Sequence, residues 1–387
     1  MTRVLRIINR FNLGGPTYNA ALLTRYMPEQ YETLLIGGAK EESENDSLHI
    51  TSALDLKPII IPDMSREINF RDDRKAYQKI KQLINWFEPD IVHTHASKAG
   101  ALGRLAAYHS GVDHVVHTFH GHVFHSYFNP LKTKAYIRIE KYLAKRSDAI
   151  VAISDLQKDE LVNTFGIAEA EKVHTIPLGF NLDPFQENVS DKRASFRNKY
   201  KVEEDEIAIG IIGRLVPIKN HRMFISMAQK LQILHGKKLR FFIIGGGELM
   251  GELMQFAEAC GLLGDDRMQF TSWMQNVDVA IAGLDMIIMT SRNEGTPVSL
   301  IEAQAGGKAI VSTDVGGIRD IVDPGQSAFI SDKEDLEGMV AHCSMLIEDA
   351  QLRSEMGKKG KEYVKDKFTY ERLAADMDGL YQALLKA

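Results

Sequence analysis

The sequence predicts an α/β protein of two doubly wound, Rossmann-like domains, each an open parallel sheet, facing a central cleft. Three observations carry that expectation. Apolar strand-like runs alternate with helix-like segments from end to end, the pattern of parallel strands joined by crossover helices. At 387 residues the chain exceeds the usual size of one domain. The alternation also halts once, at Pro177–Ala194, where Gly, Pro and Asn occur without periodicity, and then restarts. That stretch reads as a linker between domains at 1–180 and 195–368.

The first half opens with strand Arg3–Ile8, a glycine-rich turn, a helix to about Tyr26 and strand Glu32–Gly37. Polar, acidic Glu41–Ser47 reads as a loop, followed by a short strand near Ile59. Helix Asp72–Phe87, strand Asp90–His93, helix Ser97–His109 and strand His114–Thr118 come next. Basic helix Lys132–Arg146, strand Ala149–Ile153, helix Leu156–Phe165 and strand Val173–Ile176 complete this half. The second half runs through strand Ile207–Ile212, helix Arg222–Leu234, strand Leu239–Ile244 and a helix to about Cys260. Strands Met268–Thr271, Met286–Met289, Ala309–Ser312 and Ser327–Ile330 follow. Helices Leu336–Ile347, Gln351–Val364 and Tyr370–Leu385 close the chain. Open parallel sheets bind ligands at the carboxyl ends of their strands.

Composition narrows the function. The chain is 44 % hydrophobic and 26 % charged with net charge −5, which leaves no electrostatic footprint for nucleic acid. No apolar run approaches the roughly 20 residues that span a bilayer. Two cysteines, Cys260 and Cys343, make no disulfide framework and fit a reduced, cytoplasmic compartment.

The most informative stretch is Glu294-Gly295-Thr296-Pro297-Val298-Ser299-Leu300-Ile301-Glu302, between a strand and a helix. A strand entering a helix through Gly-Thr-Pro leaves free N–H groups at a positive helix end, where an anion can sit. One carboxylate precedes the helix and the other lies two turns in, so both can face one cleft and accept hydrogen bonds from hydroxyls. Phosphate beside polyhydroxyl is the chemistry of a sugar nucleotide. An isolated pair at this spacing also fits a helix N-terminus with favourable acidic residues.

At the carboxyl end of the first strand of the second half stands Gly213-Arg214-Leu215-Val216-Pro217-Ile218-Lys219. Arg214 offers a planar fork and Lys219 a point charge, as a diphosphate requires. A solvated loop accounts for this run when it is read alone. Gly14-Gly15-Pro16 occupies the corresponding place in the first half, where glycine permits close backbone approach and proline pre-organises a helix start. A plain tight turn fits it equally. Gly245-Gly246-Gly247 lacks G-x-G-x-x-G and no acidic residue ends the next strand, which disfavours a nicotinamide enzyme.

Ten of the thirteen histidines precede residue 180, and His117, His120, His122 and His125 fall within nine positions. No His-Glu-x-x-His and no cysteine partner accompany them, so no metal site is expected. His120, at a strand exit, is the substrate-contacting candidate. Asp376-Met377-Asp378 lies in a periodic helix and reads as a solvated face. Segment Lys132–Arg146 carries six basic residues and one acidic, interleaved with Tyr136, Ile137, Ile139, Tyr142 and Leu143. That pattern suits a helix lying on an anionic membrane surface. An ordinary amphipathic crossover helix gives the same pattern.

Together these residues resemble family 4 of the retaining glycosyltransferases, of the two-domain GT-B architecture. The likeness spans Gly14-Gly15, His120-Gly121-His122, Ile153-Ser154, Gly213-Arg214 with Lys219, Glu294–Glu302 and Thr313-Asp314-Val315-Gly316-Gly317. It implies that Arg214 and Lys219 hold the donor diphosphate, aided by the backbone of Gly295, Thr296, Pro297 and Val298, whose N–H groups (proline's excepted) face the anion, and by the amide at Gly15. It implies that Glu302 takes ribose hydroxyls, that Glu294 takes hydroxyls of the donor sugar, and that His120 lies beside the reacting centre. The helix at 369–387 would return to the N-terminal domain. Ser97-Lys98-Ala99-Gly100 with His120–Phe124 further resembles bacterial members that build surface polysaccharides or lipid-linked oligosaccharides.

The expected reaction moves a hexosyl or N-acetylhexosaminyl unit from a nucleotide-sugar, by family frequency a UDP-sugar, to a glycan or polyprenyl-linked acceptor. The nucleotide-sugar is a substrate and no cofactor is expected. No second carboxylate offers a covalent nucleophile in the first half, so front-face displacement with retention is favoured, without metal. A non-hydrolysing sugar-nucleotide epimerase and a catalytically silent sugar-nucleotide-binding subunit are the alternatives. Turnover of a labelled donor separates them from a transferase.

Overall fold

The computed structural model describes residues 1–12, 14–39, 48–65, 68–121 and 130–386. The Glu41–Ser47 loop and the histidines at 122 and 125 lie outside these residues. Along the chain the elements are β1 (Thr2–Arg10), α1 (Gly15–Tyr26), β2 (Tyr31–Gly38), α2 (Leu48–Ala53), β3 (Ile59–Ile60), α3 (Phe70–Phe87) and β4 (Ile91–His95). Then come α4 (Ser97–Ser110), β5 (His114–Phe119), α5 (Pro130–Ala144), β6 (Ala149–Ala152), α6 (Asp155–Asp159), β7 (Val173–Thr175), α7 (Val189–Lys199) and β8 (Ile207–Ile212). After them follow α8 (His221–His235), β9 (Leu239–Ile244), α9 (Met250–Ala259), β10 (Met268–Ser272), α10 (Val277–Gly283), β11 (Met286–Met289) and α11 (Val298–Ala305). The last are β12 (Ala309–Thr313), α12 (Ile318–Ile321), β13 (Ala328–Ser331), α13 (Leu336–Glu348), α14 (Ala350–Lys365) and α15 (Tyr370–Leu385).

The chain divides into two compact units, Met1–Phe180 with Phe368–Ala387, and Asn181–Lys367. The first holds a parallel sheet in the order β3-β2-β1-β4-β5-β6-β7. Alternate residues of β1 face opposite sides, as strand geometry requires. Leu5 and Ile7 pack with α3 and α4 through Ile80, Leu83, Ile84, Ala99 and Ala106. Val4 packs on the other side with Leu23, Val116, Leu373, Leu380 and Tyr381. The last two leucines and Tyr381 belong to α15, so the C-terminal helix completes the core of the first unit. Asp378 is more than a solvated helix residue, because it accepts a 2.7 Å hydrogen bond from Tyr31 Oη and a 3.0 Å bond from Gln30.

In the second unit the sheet runs β10-β9-β8-β11-β12-β13, again parallel. Ile209, Ile211, Phe241, Ile243, Met286 and Ile288 form one face with Phe224, Ala228 and Leu231 of α8 and Met339 of α13. Both sheets reverse their strand order beside the first strand, between β1 and β4 and between β8 and β11. Such switch points open a crevice at the strand carboxyl ends.

Two expectations need correction. The stretch Pro177–Ala194 is not featureless: a 3-10 turn at Asp183–Phe185 precedes α7, which starts at Val189. Only Phe196 and Arg197 of α7 are buried, so its sequence carries almost no amphipathic period. Its anchors are polar, with Arg193 and Arg197 binding Asp285 at 2.8 and 3.2 Å. Secondly, α11 begins at Val298, which makes Glu302 its fifth residue, just past one turn. Pro297 is extended, at ψ 102°, and holds Gly295 and Thr296 in the loop.

Candidate active site

The switch point of the second unit gathers most of the expected donor residues. Gly213 leaves the end of β8, and a Cβ placed on it would touch the Lys219 side chain at 3.6 Å. Lys219 closes the 3-10 turn Pro217–Lys219, and its Nζ donates a 2.6 Å hydrogen bond to Glu294 Oε1. Neighbouring strand β11 fixes this turn from below. Thr290 Oγ1 donates to the carbonyls of Lys219 and Asn220, and the Arg292 amide donates to Ile218 at 2.8 Å. The ends of two adjacent strands, β8 and β11, therefore set the position of one ammonium group.

A third loop, after β12, sets Glu294. Gly316 has φ +55°, a left-handed conformation that favours glycine, and a Cβ there would overlap the Glu294 carbonyl oxygen. Gly317 packs equally close on Gly295, and its amide donates to the Glu294 carbonyl at 3.3 Å. Thr313 Oγ1 ties this loop to the Ser291 carbonyl at 2.7 Å. In the sequence Thr313, Gly316 and Gly317 stand only within the family likeness, with no role of their own, and Thr290 is passed over; a hydroxyl ending each of two adjacent strands and a Gly-Gly pair after the second are the signals that mark them.

Beyond Glu294 the backbone reaches the N-terminus of α11. No side chain caps it, and its first turn contains no acidic residue. The early amides of α11 keep their donor capacity. Nothing stands within 4 Å of a Cβ on Gly295. Arg214 is exposed, and its guanidinium has no partner among the described residues. It is not drawn into the Lys219–Glu294 pair.

Glu302 differs from Glu294. Its carboxyl is pushed up to about 8 by burial, with the negative charge of Asp278 adding to the shift. It is therefore mainly neutral at pH 7, and can both donate and accept a hydrogen bond. His221, beside Lys219, is also forced neutral: burial first, then the lysine charge, lower it to about 4.

In the first unit, Gly14 and Gly15 stand at the carboxyl end of β1, where α1 begins with Pro16 in its first turn. Neither lies in the left-handed region, Gly14 being extended at φ 166°, and a Cβ on either would meet only ordinary contacts at 3.7 Å. His120 follows β5, and its Nε2 lies 2.9 Å from Nδ1 of His95. Burial lowers His120 to about 3, so the imidazole is neutral. Of the run His117 to His125, the described His120 is joined by His93 and His95 of β4. Both are wholly buried, His93 between Tyr381 Oη and Thr118 Oγ1 at 2.6 and 2.7 Å. His117 pairs with Thr94 Oγ1 at 2.8 Å. Their signal is His93-Thr94-His95, alternating at the end of a strand. Among the described residues no group of three or more His, Cys, Asp or Glu side chains is arranged to hold a metal ion.

Helix α5 turns Glu140, Leu143 and Ala144 inward, and Glu140 binds the buried guanidinium of Arg104 at 2.6 Å. Leu131, Lys132, Lys134, Arg138, Ile139, Lys141, Tyr142 and, just beyond, Lys145 are exposed. No helix of the described residues is long and apolar enough to cross a membrane.

Comparison with known proteins bears on the family and the fold. The family of glycosyl transferases group 1 matches residues 192–363, and glycosyltransferase family 4 matches residues 13–184. An Escherichia coli UDP-Gal:alpha-D-GlcNAc-diphosphoundecaprenol alpha-1,3-galactosyltransferase is 25 % identical, over 86 % of this chain and 86 % of its own. The capsular polysaccharide biosynthesis glycosyltransferase CapM of Staphylococcus aureus is also 25 % identical, over 84 % and 85 %. Among solved structures, Anabaena HepE in complex with UDP superposes with TM-score 0.83 at 16 % identity, covering 99 % of this chain and 100 % of that one. Sucrose-phosphate synthase from Thermosynechococcus elongatus gives 0.82 at 18 % identity, covering 100 % of each. With its two halves matched in order and the GT-B architecture in both sheets, the chain belongs to the family 4 glycosyltransferases.

Proposed function

We propose that this glycosyltransferase moves a hexosyl or N-acetylhexosaminyl unit from a UDP-sugar to a glycan or polyprenyl-linked acceptor in polysaccharide biosynthesis, with retention of anomeric configuration. The observation that carries the reading is the Lys219–Glu294 pair beside the uncapped N-terminus of α11. A diphosphate needs cations and amide donors, and a sugar needs a carboxylate for its hydroxyls; the loops after β8 and β11 supply all three side by side. The Escherichia coli and Staphylococcus aureus relatives, by their names, support the polysaccharide context and a UDP-linked donor.

In this mechanism Lys219 and Arg214 bind the diphosphate, with Gly213 leaving room beside the lysine. The amides of Gly295, Thr296 and Val298 share the charge that builds on the leaving group. Glu302, neutral at pH 7, exchanges hydrogen bonds with both ribose hydroxyls. Glu294 orients the donor sugar. Gly14 and Gly15 let the backbone approach the donor, and His120 contacts the substrate beside the reacting carbon. The departing diphosphate takes the acceptor proton, so displacement occurs from the same face. Helix α5 rests its basic, apolar outer face on an anionic membrane at the cytoplasmic side, where a polyprenyl-linked acceptor resides.

The test is a screen of nucleotide-sugars for slow hydrolysis without acceptor, followed by proton NMR of the product made with the preferred donor. Release of nucleoside diphosphate from a UDP-hexose and a product of unchanged anomeric configuration are expected. Inverted configuration overturns the mechanism, and epimerised donor without glycoside overturns the transfer itself.

A further inference from the structure

The carboxyl ends of adjacent strands β4 and β5 assemble a column of imidazoles inside the first unit. His93 and His95 alternate along β4, share a face, and stack with ring centroids 4.3 Å apart. His95 is level with Thr118 of β5, so His120, two residues on, comes over it with centroids at 5.2 Å. Below, His93 is gripped by Thr118 and by Tyr381 of α15, whose hydroxyl also accepts a 3.2 Å hydrogen bond from the Arg6 guanidinium. The column is rigid at its base and ends at His120.

Burial holds both His95 and His120 neutral, so a single proton lies in the 2.9 Å contact between His95 Nδ1 and His120 Nε2. The two remaining nitrogens, His95 Nε2 and His120 Nδ1, are buried with no partner among the described residues. If His120 donated, His95 would keep an N–H at Nε2, sealed at 0 % exposure with nothing to accept it. Buried N–H groups are left without an acceptor more rarely than acceptors without a donor. With His95 donating from Nδ1, the sealed interior keeps only a bare lone pair, and the orphan N–H moves to Nδ1 of His120, a residue only half-buried at the strand exit, where a ligand oxygen can accept it.

We propose that His95 is a positioning residue for the transfer reaction: it donates Nδ1–H to His120 Nε2, fixes the Nδ1-protonated tautomer of His120, and so presents a hydrogen-bond donor to a substrate oxygen. This rests on the reading of His120 as the residue that contacts substrate. On it, His120 acts as a neutral donor and the C-terminal helix, through Tyr381 and His93, buttresses the site.

Four variants and one spectrum test it. His95→Leu should lower kcat on the order of 10²-fold, the scale of a misplaced reacting group, with KM for the donor little changed. His95→Asn, whose carboxamide stands where Nδ1 stood, should recover most of that loss. Nitrogen-15 NMR of histidine-labelled wild type should show His120 neutral and protonated at Nδ1. His120→Ala is the control. Wild-type kcat in His95→Leu beside an inactive His120→Ala overturns the positioning role. Wild-type kcat in His120→Ala overturns the reading beneath it, and protonation at Nε2 overturns the tautomer. Should His95→Leu fail to fold, His95→Asn and His95→Gln decide, since glutamine sets its amide one methylene too far; equal kcat in the two overturns the proposal.

Discussion

Lys219 Nζ and Glu294 Oε1 lie 2.6 Å apart, so the cation proposed for the donor diphosphate is held by the carboxylate proposed for its sugar. Both side chains are mostly shielded, at 20 % and 9 % exposure, so the pair acts in a partly desolvated setting. On the proposed reading, donor binding exchanges this contact for two new ones. Lys219→Ala and Arg214→Ala should each reduce transfer on the order of 10²-fold or more without unfolding the protein.

The two glutamates should fail differently. Glu294→Ala is expected to lower kcat while affinity for nucleoside diphosphate holds or rises, because Lys219 is released to the phosphates. Glu302→Ala should chiefly weaken the nucleotide, whose ribose contact is the same in ground and transition states. Calorimetry with nucleoside diphosphate, set against kinetics with the full donor, separates them. Loss of diphosphate binding in Glu294→Ala alone would reverse the two roles.

Glu302 also makes a stability prediction. Its folded value, about 8, stands above the ordinary 4.5, so between these values the folded chain binds a proton that the unfolded chain does not. Stability then falls as pH rises from 4.5 through 8. Glu302→Gln should remove this decline: its melting temperature should match wild type near pH 4 and exceed it increasingly up to pH 9. Parallel curves across that range would refute the assignment.

Gly316→Ala should cost donor binding as well as stability. The left-handed conformation alone costs a side-chain-bearing residue about 1–2 kcal/mol. The added methyl also overlaps the Glu294 carbonyl and must displace the loop carrying that carboxylate. Gly246→Ala is the matched control, with nothing within 4 Å of its Cβ and a backbone outside the left-handed region. If both variants bind nucleotide normally, the loop after β12 does not set the site.

Activity is expected to survive chelation, because Lys219, Arg214 and the α11 amides supply the charge a divalent ion would bring. Complete loss with EDTA, reversed by Mg²⁺ or Mn²⁺, would contradict this.

On α5, Lys134, Arg138, Lys141 and Lys145 are exposed, whereas Glu140 is turned inward to Arg104. Each basic group near an anionic bilayer contributes about 1 kcal/mol. Vesicle binding should rise with anionic lipid and fall as salt shortens the Debye length from about 10 Å at 0.1 M to about 3 Å at 1 M. Replacing the four with Ser should slow transfer to a lipid-linked acceptor and spare a soluble one. Unchanged transfer to both would leave α5 as scaffold.

The sequence by itself determined the alternation of strands and helices and the places of Gly14-Gly15, Gly213–Lys219 and Glu294–Glu302 at strand ends. Periodicity and turn chemistry are local, so strands such as Met286–Met289 and helix Tyr370–Leu385 are legible to the residue. Short or polar helices such as α7, α10 and α12 carry too little period to be read. Strand order is not encoded in period at all. Only the tertiary structure set β8 beside β11, which brings Lys219 to Glu294 across 75 residues, and β4 beside β5, which lays His95 under His120. The neutral state of Glu302 is likewise tertiary, because desolvation depends on what the fold packs around a carboxyl and not on its neighbours in sequence.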